Sequence, residues 1–96
     1  MLERDYQPKL IARLEALFPG CIILKNDPNY LQGFPDLTIL WRDKWAILET
    51  KRTKDAKRRP NKSYYVDWGK RMSYAAFIYP ENEKEVLNEL QQAFGV

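Results

Sequence analysis

The chain has 96 residues, 45% hydrophobic and 30% charged, with three Trp, six Tyr and four Phe. That length allows one domain, 1–96, and the aromatic content excludes a disordered tail-like protein. A net charge of +3 with no histidine and a single cysteine excludes histidine-based catalysis, His-rich zinc sites and an intrachain disulfide, so any metal would be held mainly by oxygen, which favours magnesium, manganese or calcium.

The chain opens Met1-Leu2-Glu3-Arg4-Asp5, with acid where a signal peptide carries base, and no apolar run approaches the roughly 20 residues of a membrane span. It therefore reads as cytosolic. Leu10, Ile11, Leu14, Leu17 and Phe18 recur at helical spacing, which predicts a helix over about 5–18 with Asp5 as N-cap and Pro8 in its first turn. Pro19-Gly20 stops it. Cys21–Leu24 is a short strand rich in β-branched residues. Asn26–Gly33 is a loop dense in turn formers. A second strand runs from about Pro35 to Leu40 or Trp41, a turn falls at Arg42-Asp43-Lys44, and a third strand covers Trp45–Lys51. Arg59-Pro60-Asn61 signals the start of a helix over Lys62–Arg71. Ser73–Tyr79 is a fourth strand, cut off by Pro80. Asn82 caps a last helix with Glu85 at the capping-box position, a buried stripe of Val86, Leu87, Leu90 and Phe94, and Gly95 as its stop. The order αβββαβα describes a small mixed sheet of about four strands flanked by helices, an α/β (α+β mixed) fold, with the second and third strands antiparallel.

Charged residues end two apolar strands of that hairpin: Asp36 opens the second, and Glu49 and Lys51 close the third. Burying them unpaired is costly, so their placement demands a reason. Side chains alternate along a strand, and Glu49 and Lys51 therefore share a face. An even turn pairs residues whose numbers sum to 85 and sets Asp36 directly opposite Glu49. A three-residue turn turns Asp36 away unless a bulge intervenes. Two opposed carboxylates repel unless a cation lies between them. A divalent metal with oxygen ligands meets that need, with Lys51 adding positive charge nearby, and the even register is the expectation. The other reading of the same residues is a salt bridge at a sheet edge.

The segment just downstream is strongly basic. Residues 51–62 hold Lys51, Arg52, Lys54, Lys57, Arg58, Arg59 and Lys62 against Asp55, a window of +6 that leaves −3 for the rest. Residues 81–96 are −3, with Glu81, Glu83, Glu85 and Glu89 against Lys84. A concentrated basic segment attracts polyanions, nucleic acid foremost, although a solvated loop would look the same.

Gly33-Phe34-Pro35-Asp36, an apolar strand, and then Leu48-Glu49-Thr50-Lys51 resemble the PD-(D/E)xK nuclease superfamily. Within it the match is to the small VRR-NUC type found in phages, related to Holliday-junction resolvase-like enzymes. The resemblance covers nearly the whole chain. It implies a restriction-endonuclease-like core in which Asp36 and Glu49 hold Mg2+ or Mn2+ and Lys51 positions or activates the attacking water. It further implies that the backbone carbonyl of Thr50 ligates the metal and that an acid on the first helix completes the site, for which Glu3 is the candidate. Lys62 stands where relatives often carry Gln, and a lysine there would hold a phosphate instead. A homodimer in the host cytoplasm follows from the same resemblance.

Taken together, these residues lead to the expectation of a metal-dependent, structure-selective DNA endonuclease acting on branched DNA. Arg52, Lys54, Lys57, Arg58, Arg59 and Lys62 would bind its backbone. Tyr64, Tyr65 and Trp68 on the following helix would stack on unpaired bases or, more in keeping with aromatics generally, pack against the sheet. Tyr30 and Phe34 flank the motif and either touch substrate or fix the loop. The alternative functions are a non-catalytic nucleic-acid-binding module and a protein-interaction domain using the acidic last helix.

Overall fold

The computed structural model describes residues 3–53 and 60–96. Among them the element order is α1 (Glu3–Leu17), β1 (Ile22–Lys25), β2 (Leu37–Trp41), β3 (Lys44–Thr50), α2 (Pro60–Met72), β4 (Tyr74–Ile78) and α3 (Glu83–Phe94). This is the mixed α/β arrangement and the order that the sequence predicts. The four strands form one sheet in chain order, antiparallel from β1 to β3 and parallel between β3 and β4. The parallel step needs a crossover, and α2 supplies it. Among the described residues no helix is long and apolar enough to cross a membrane.

Alternation along the strands splits the core into two layers. Leu37, Ile39 and Trp41 of β2, Ala46 and Leu48 of β3, and Ala76 and Ile78 of β4 face α1 and α3. They meet Leu10 and Leu14 of α1, Phe18 just after it, and Val86, Leu87, Leu90 and Phe94 of α3. Phe18 packs edge-on to Trp41 and Phe94, with centroids 5.1 and 5.2 Å away. On the opposite face Ile47 and Ala75 meet Val66 of α2, ringed by Phe34, Trp45, Trp68 and Phe77. Glu49 and Lys51 share the alternation of Ile47 and belong to this second face.

The hairpin turn is the two residues Arg42 and Asp43, with Trp41 paired to Lys44. Arg42 takes a left-handed backbone conformation (φ 59°), as the tight connection between twisted strands requires. Leu37 pairs with Leu48, Thr38 with Ile47 and Leu40 with Trp45, so the register is the even one.

Two local expectations are corrected. The first helix begins at Glu3, so Asp5 lies inside it rather than capping it, and Pro8 is an interior residue. Pro8 has no N–H to give the Arg4 carbonyl, so the helix forgoes one bond there and is held by the packing of its buried stripe. At α3, Asn82 is the N-cap residue but its side chain makes no cap bond. Its Oδ1 accepts from the Tyr79 amide at 2.9 Å and its Nδ2 donates to the Phe77 carbonyl at 3.1 Å. The side chain closes the short β4–α3 turn, and the capping box does not form. Gly95 ends the helix in the left-handed region (φ 77°) as expected.

Candidate metal and nucleic-acid site

The site lies where β2 begins and β3 ends. Asp36 directly precedes β2, and the register carried one step further sets it opposite Glu49. The Asp36 amide donates to Glu49 Oε1 at 3.1 Å. The Asp36 carboxylate reaches across the hairpin: Oδ2 accepts from the Thr50 amide at 3.1 Å and from the Thr50 hydroxyl at 2.7 Å. The carboxylate of each strand end is thus anchored on a backbone N–H of the other. This arrangement offsets part of the repulsion between them, because hydrogen bonds to a carboxylate stabilise its charged form.

Three features hold Asp36 in place. Pro35 before it is buried and fixes its own φ. The Asp36 carbonyl accepts from the Asn26 amide at 2.8 Å. Asn26 Nδ2 also donates to the Pro35 carbonyl at 2.8 Å and to Thr38 Oγ1 at 2.9 Å. Asn26 therefore ties the long loop to the start of β2. From the helical layer, Gln7 Nε2 donates to Thr50 Oγ1 at 3.3 Å. A relay runs from Gln7 through the Thr50 hydroxyl to Asp36, and it brings the first turns of α1 against the strand ends. Glu3 is the first residue of α1, four positions before Gln7, and its side chain lies outside what the structure describes.

The Thr50 carbonyl has a defined direction. The Lys51 amide donates to the Ile78 carbonyl of β4 at 2.8 Å. The peptide is planar and trans, so the Thr50 carbonyl in the same plane points away from β4, toward the edge occupied by Asp36. Two carboxylates and one carbonyl thus lie at the same end of the hairpin.

Glu49, Thr50 and Lys51 are buried, at 7%, 2% and 6% exposure. A buried lysine is uncommon and needs compensation. The Lys51 ammonium stands over the rings of Phe77 and Tyr79, 5.4 and 5.0 Å from their centroids, where the ring quadrupoles favour a cation. Phe77 pairs with Glu49 across the parallel ladder. Gln7, Asn26, Phe77 and Tyr79 are site neighbours that a motif does not reveal. Helical periodicity places Gln7 at the end of the α1 stripe. The other three depend on pairing between distant segments.

Of the basic residues, Arg52 is exposed and Lys62 belongs to α2. Lys54, Lys57, Arg58 and Arg59 lie outside the described residues. Among the described residues no group of three or more His, Cys, Asp or Glu side chains is gathered to hold a metal. The available donors are the Asp36 and Glu49 carboxylates and the Thr50 carbonyl. An all-oxygen set of this size fits Mg2+, which takes one or two carboxylates and keeps several waters. Comparison with protein-family models, with curated proteins and with solved structures finds no match to this chain.

Proposed function

We propose that this chain is a metal-dependent DNA endonuclease that hydrolyses phosphodiester bonds, with branched DNA such as four-way junctions as its substrate class. The observation that supports it is the even hairpin register. It sets Asp36 opposite Glu49 and brings the Thr50 carbonyl and the buried Lys51 to the same strand ends. A salt bridge at a sheet edge would not need a lysine at 6% exposure held over two aromatic rings.

In this reading Asp36, Glu49 and the Thr50 carbonyl hold Mg2+ or Mn2+. Bound there, the ion would polarise the phosphate and lower the pKa of water. The chain's own residues do the rest. The Thr50 amide and hydroxyl fix the Asp36 carboxylate against rotation. Lys51, held over Phe77 and Tyr79, presents positive charge where a non-bridging phosphate oxygen becomes more negative. Water adds to phosphorus, the bond to the leaving oxygen breaks, and that oxygen takes up a proton. With no histidine in the chain, an imidazole does not serve as the base. The basic run over 51–62 supplies salt-sensitive affinity for the backbone. A homodimer would present two such sites to the paired strands of a junction.

The test is cleavage of labelled junction, flap, single-stranded and duplex DNA with Mg2+, Mn2+ or EDTA. Cutting should require the metal, favour branched substrates and vanish in Asp36→Asn and Glu49→Gln. Cutting by the purified double variant would refute the assignment. The alternative, a non-catalytic nucleic-acid-binding module, has in its favour that no group of three or more His, Cys, Asp or Glu side chains is gathered among the described residues. It predicts salt-sensitive DNA binding with neither cleavage nor a metal effect.

A further inference from the structure

Immediately before Asp36, the loop between β1 and β2 borders a half-open cavity of about 420 Å3 lined by Asn26, Asp27, Tyr30, Leu31 and Phe34. The two aromatic residues of this loop have different surroundings. Phe34 packs on α2, with its ring 5.3 Å from Tyr65 and 6.5 Å from Trp68. Tyr30 is 91% exposed. The loop is fixed without it. Asp27 Oδ1 accepts from the Asn29 amide at 2.8 Å, the Asp27 carbonyl accepts from the Tyr30 and Leu31 amides, and Asn26 ties the base of the loop to Pro35 and Thr38. Tyr30 therefore has no packing task in the fold, yet its ring stands at the mouth of an apolar cavity beside the half-open Leu31. Isolated exposed aromatics need no explanation. One at the rim of a cavity whose lining residue Asn26 is bonded to the Asp36 backbone has a use.

We infer that this cavity receives an unpaired base of a DNA strand, with Tyr30 and Phe34 supplying the stacking faces. The choice of occupant follows from three observations. The cavity adjoins the start of β2, since Asn26 lines it and the Asn26 amide donates to the Asp36 carbonyl. The aromatic surface continues along α2 from Phe34 to Tyr65 and on to Tyr64, whose rings are 5.0 Å apart and of which Tyr64 is 61% exposed. The chain's positive charge is concentrated in 51–62, between the end of β3 and the start of that same helix. Apolar walls with flat ring faces accept any base, and a basic chain draws in its phosphate. The polar groups suit the edge of a base: the Asp27 carboxylate accepts from an exocyclic amine, and Asn26, whose Nδ2 is engaged twice, has its Oδ1 left to accept. Bases inside an intact duplex cannot enter. The inference rests on the nuclease reading for what lies next door, and it assigns that site a preference for strands with an unpaired base beside the phosphate.

The experiment is done in EDTA with the full chain and short DNA carrying 2-aminopurine, either unpaired in a bulge or flap or paired in a duplex. Binding should change 2-aminopurine emission only when that base is unpaired. Tyr30→Ala should weaken binding of the unpaired substrate about tenfold, leave duplex affinity as it was, and be rescued by Tyr30→Phe. An emission unchanged on binding would overturn the inference, as would an equal loss for paired and unpaired DNA. Cleavage assayed separately keeps the two claims apart. Metal-dependent cutting without the emission change refutes the base site alone, whereas the emission change without cutting supports the base site and refutes the nuclease.

Discussion

Asp36 and Glu49 face each other across the last rung of a hairpin, where like charges repel. Removing one charge while keeping its shape separates this electrostatic cost from any structural role. In Asp36→Asn the amide oxygen can still accept from the Thr50 amide and hydroxyl, so the variant should keep a cooperative melt in EDTA. Addition of Mg2+ should raise the melting temperature of the unmodified chain only. At ten times its dissociation constant the ion adds about 1.4 kcal/mol. Equal responses of both proteins to Mg2+ would show that these carboxylates do not hold it. The opposition of the two acids was legible in the sequence, because strand period and turn parity leave only two registers and one of them gives the acids a common partner. What the sequence did not disclose is that the Thr50 hydroxyl binds Asp36, or that Phe77 and Tyr79 support Lys51. Those contacts depend on the parallel pairing of β4 with β3 and on the approach of α1, which no local pattern encodes.

At the scale of elements, α2 approaches the sheet through Gly69. A Cβ built there would lie 2.6 Å from Ile47 Cδ1 and 2.7 Å from Ala75 Cβ. The Ile47 tip can rotate, but the Ala75 methyl is fixed to its strand. Overpacking of this kind costs roughly 1–3 kcal/mol, against a gain of about 1 kcal/mol in helix propensity. Gly69→Ala should therefore lower the urea midpoint without changing the slope, and a raised midpoint would contradict the close contact. On the other face α1 is clasped to α3: Tyr6 Oη donates to Glu83 Oε1 at 2.7 Å, and Arg13 binds the same oxygen at 2.8 Å. Burial first, and then the bond and charge of Glu83, hold the Tyr6 phenol protonated well above the ordinary tyrosine value. Burial and Glu89 act alike on Tyr74. Unfolded tyrosine ionises near pH ~10. Above that pH the unfolded chain releases protons that the native chain keeps, so stability is level below pH ~10 and falls above it. Thermal melts from pH 8 to 11 should show this fall, less steep in Tyr6→Phe. An identical slope in that variant would remove Tyr6 as a cause. The buried stripes of α1 and α3 were readable from 3.6-residue periodicity. The start of α1 and the cap of α3 were not, because Pro8 is compatible with an earlier helix start and the Asn82 side chain is engaged by the end of β4.

Across the whole molecule, charge is segregated along the chain more sharply than its net +3 indicates. Seven basic residues fall between 51 and 62, and the last sixteen residues are net negative. The two regions are attached to different layers, since the basic run leads into α2 while the acidic residues belong to α3 and its approach, on the other side of the sheet. A polyanion should therefore meet the α2 side, the side of Glu49, Lys51 and the aromatic loop. This segregation was plain in the sequence, whereas its orientation relative to the carboxylates required the topology. Affinity that depends on phosphate contacts falls linearly with salt on logarithmic axes, by about 0.9 of slope for each duplex phosphate neutralised. If the six basic residues other than the buried Lys51 engage duplex DNA, the slope approaches about −5. Replacing Lys54, Lys57, Arg58 and Arg59 with Gln removes four of those charges and should reduce its magnitude by about 3 to 4. Titrations of fluorescent duplex between 50 and 300 mM salt read this directly. A slope unchanged in the fourfold variant would place the phosphate contacts elsewhere on the surface. A slope reduced as expected, with the 2-aminopurine response intact, would assign backbone attraction to the basic run and base recognition to the loop.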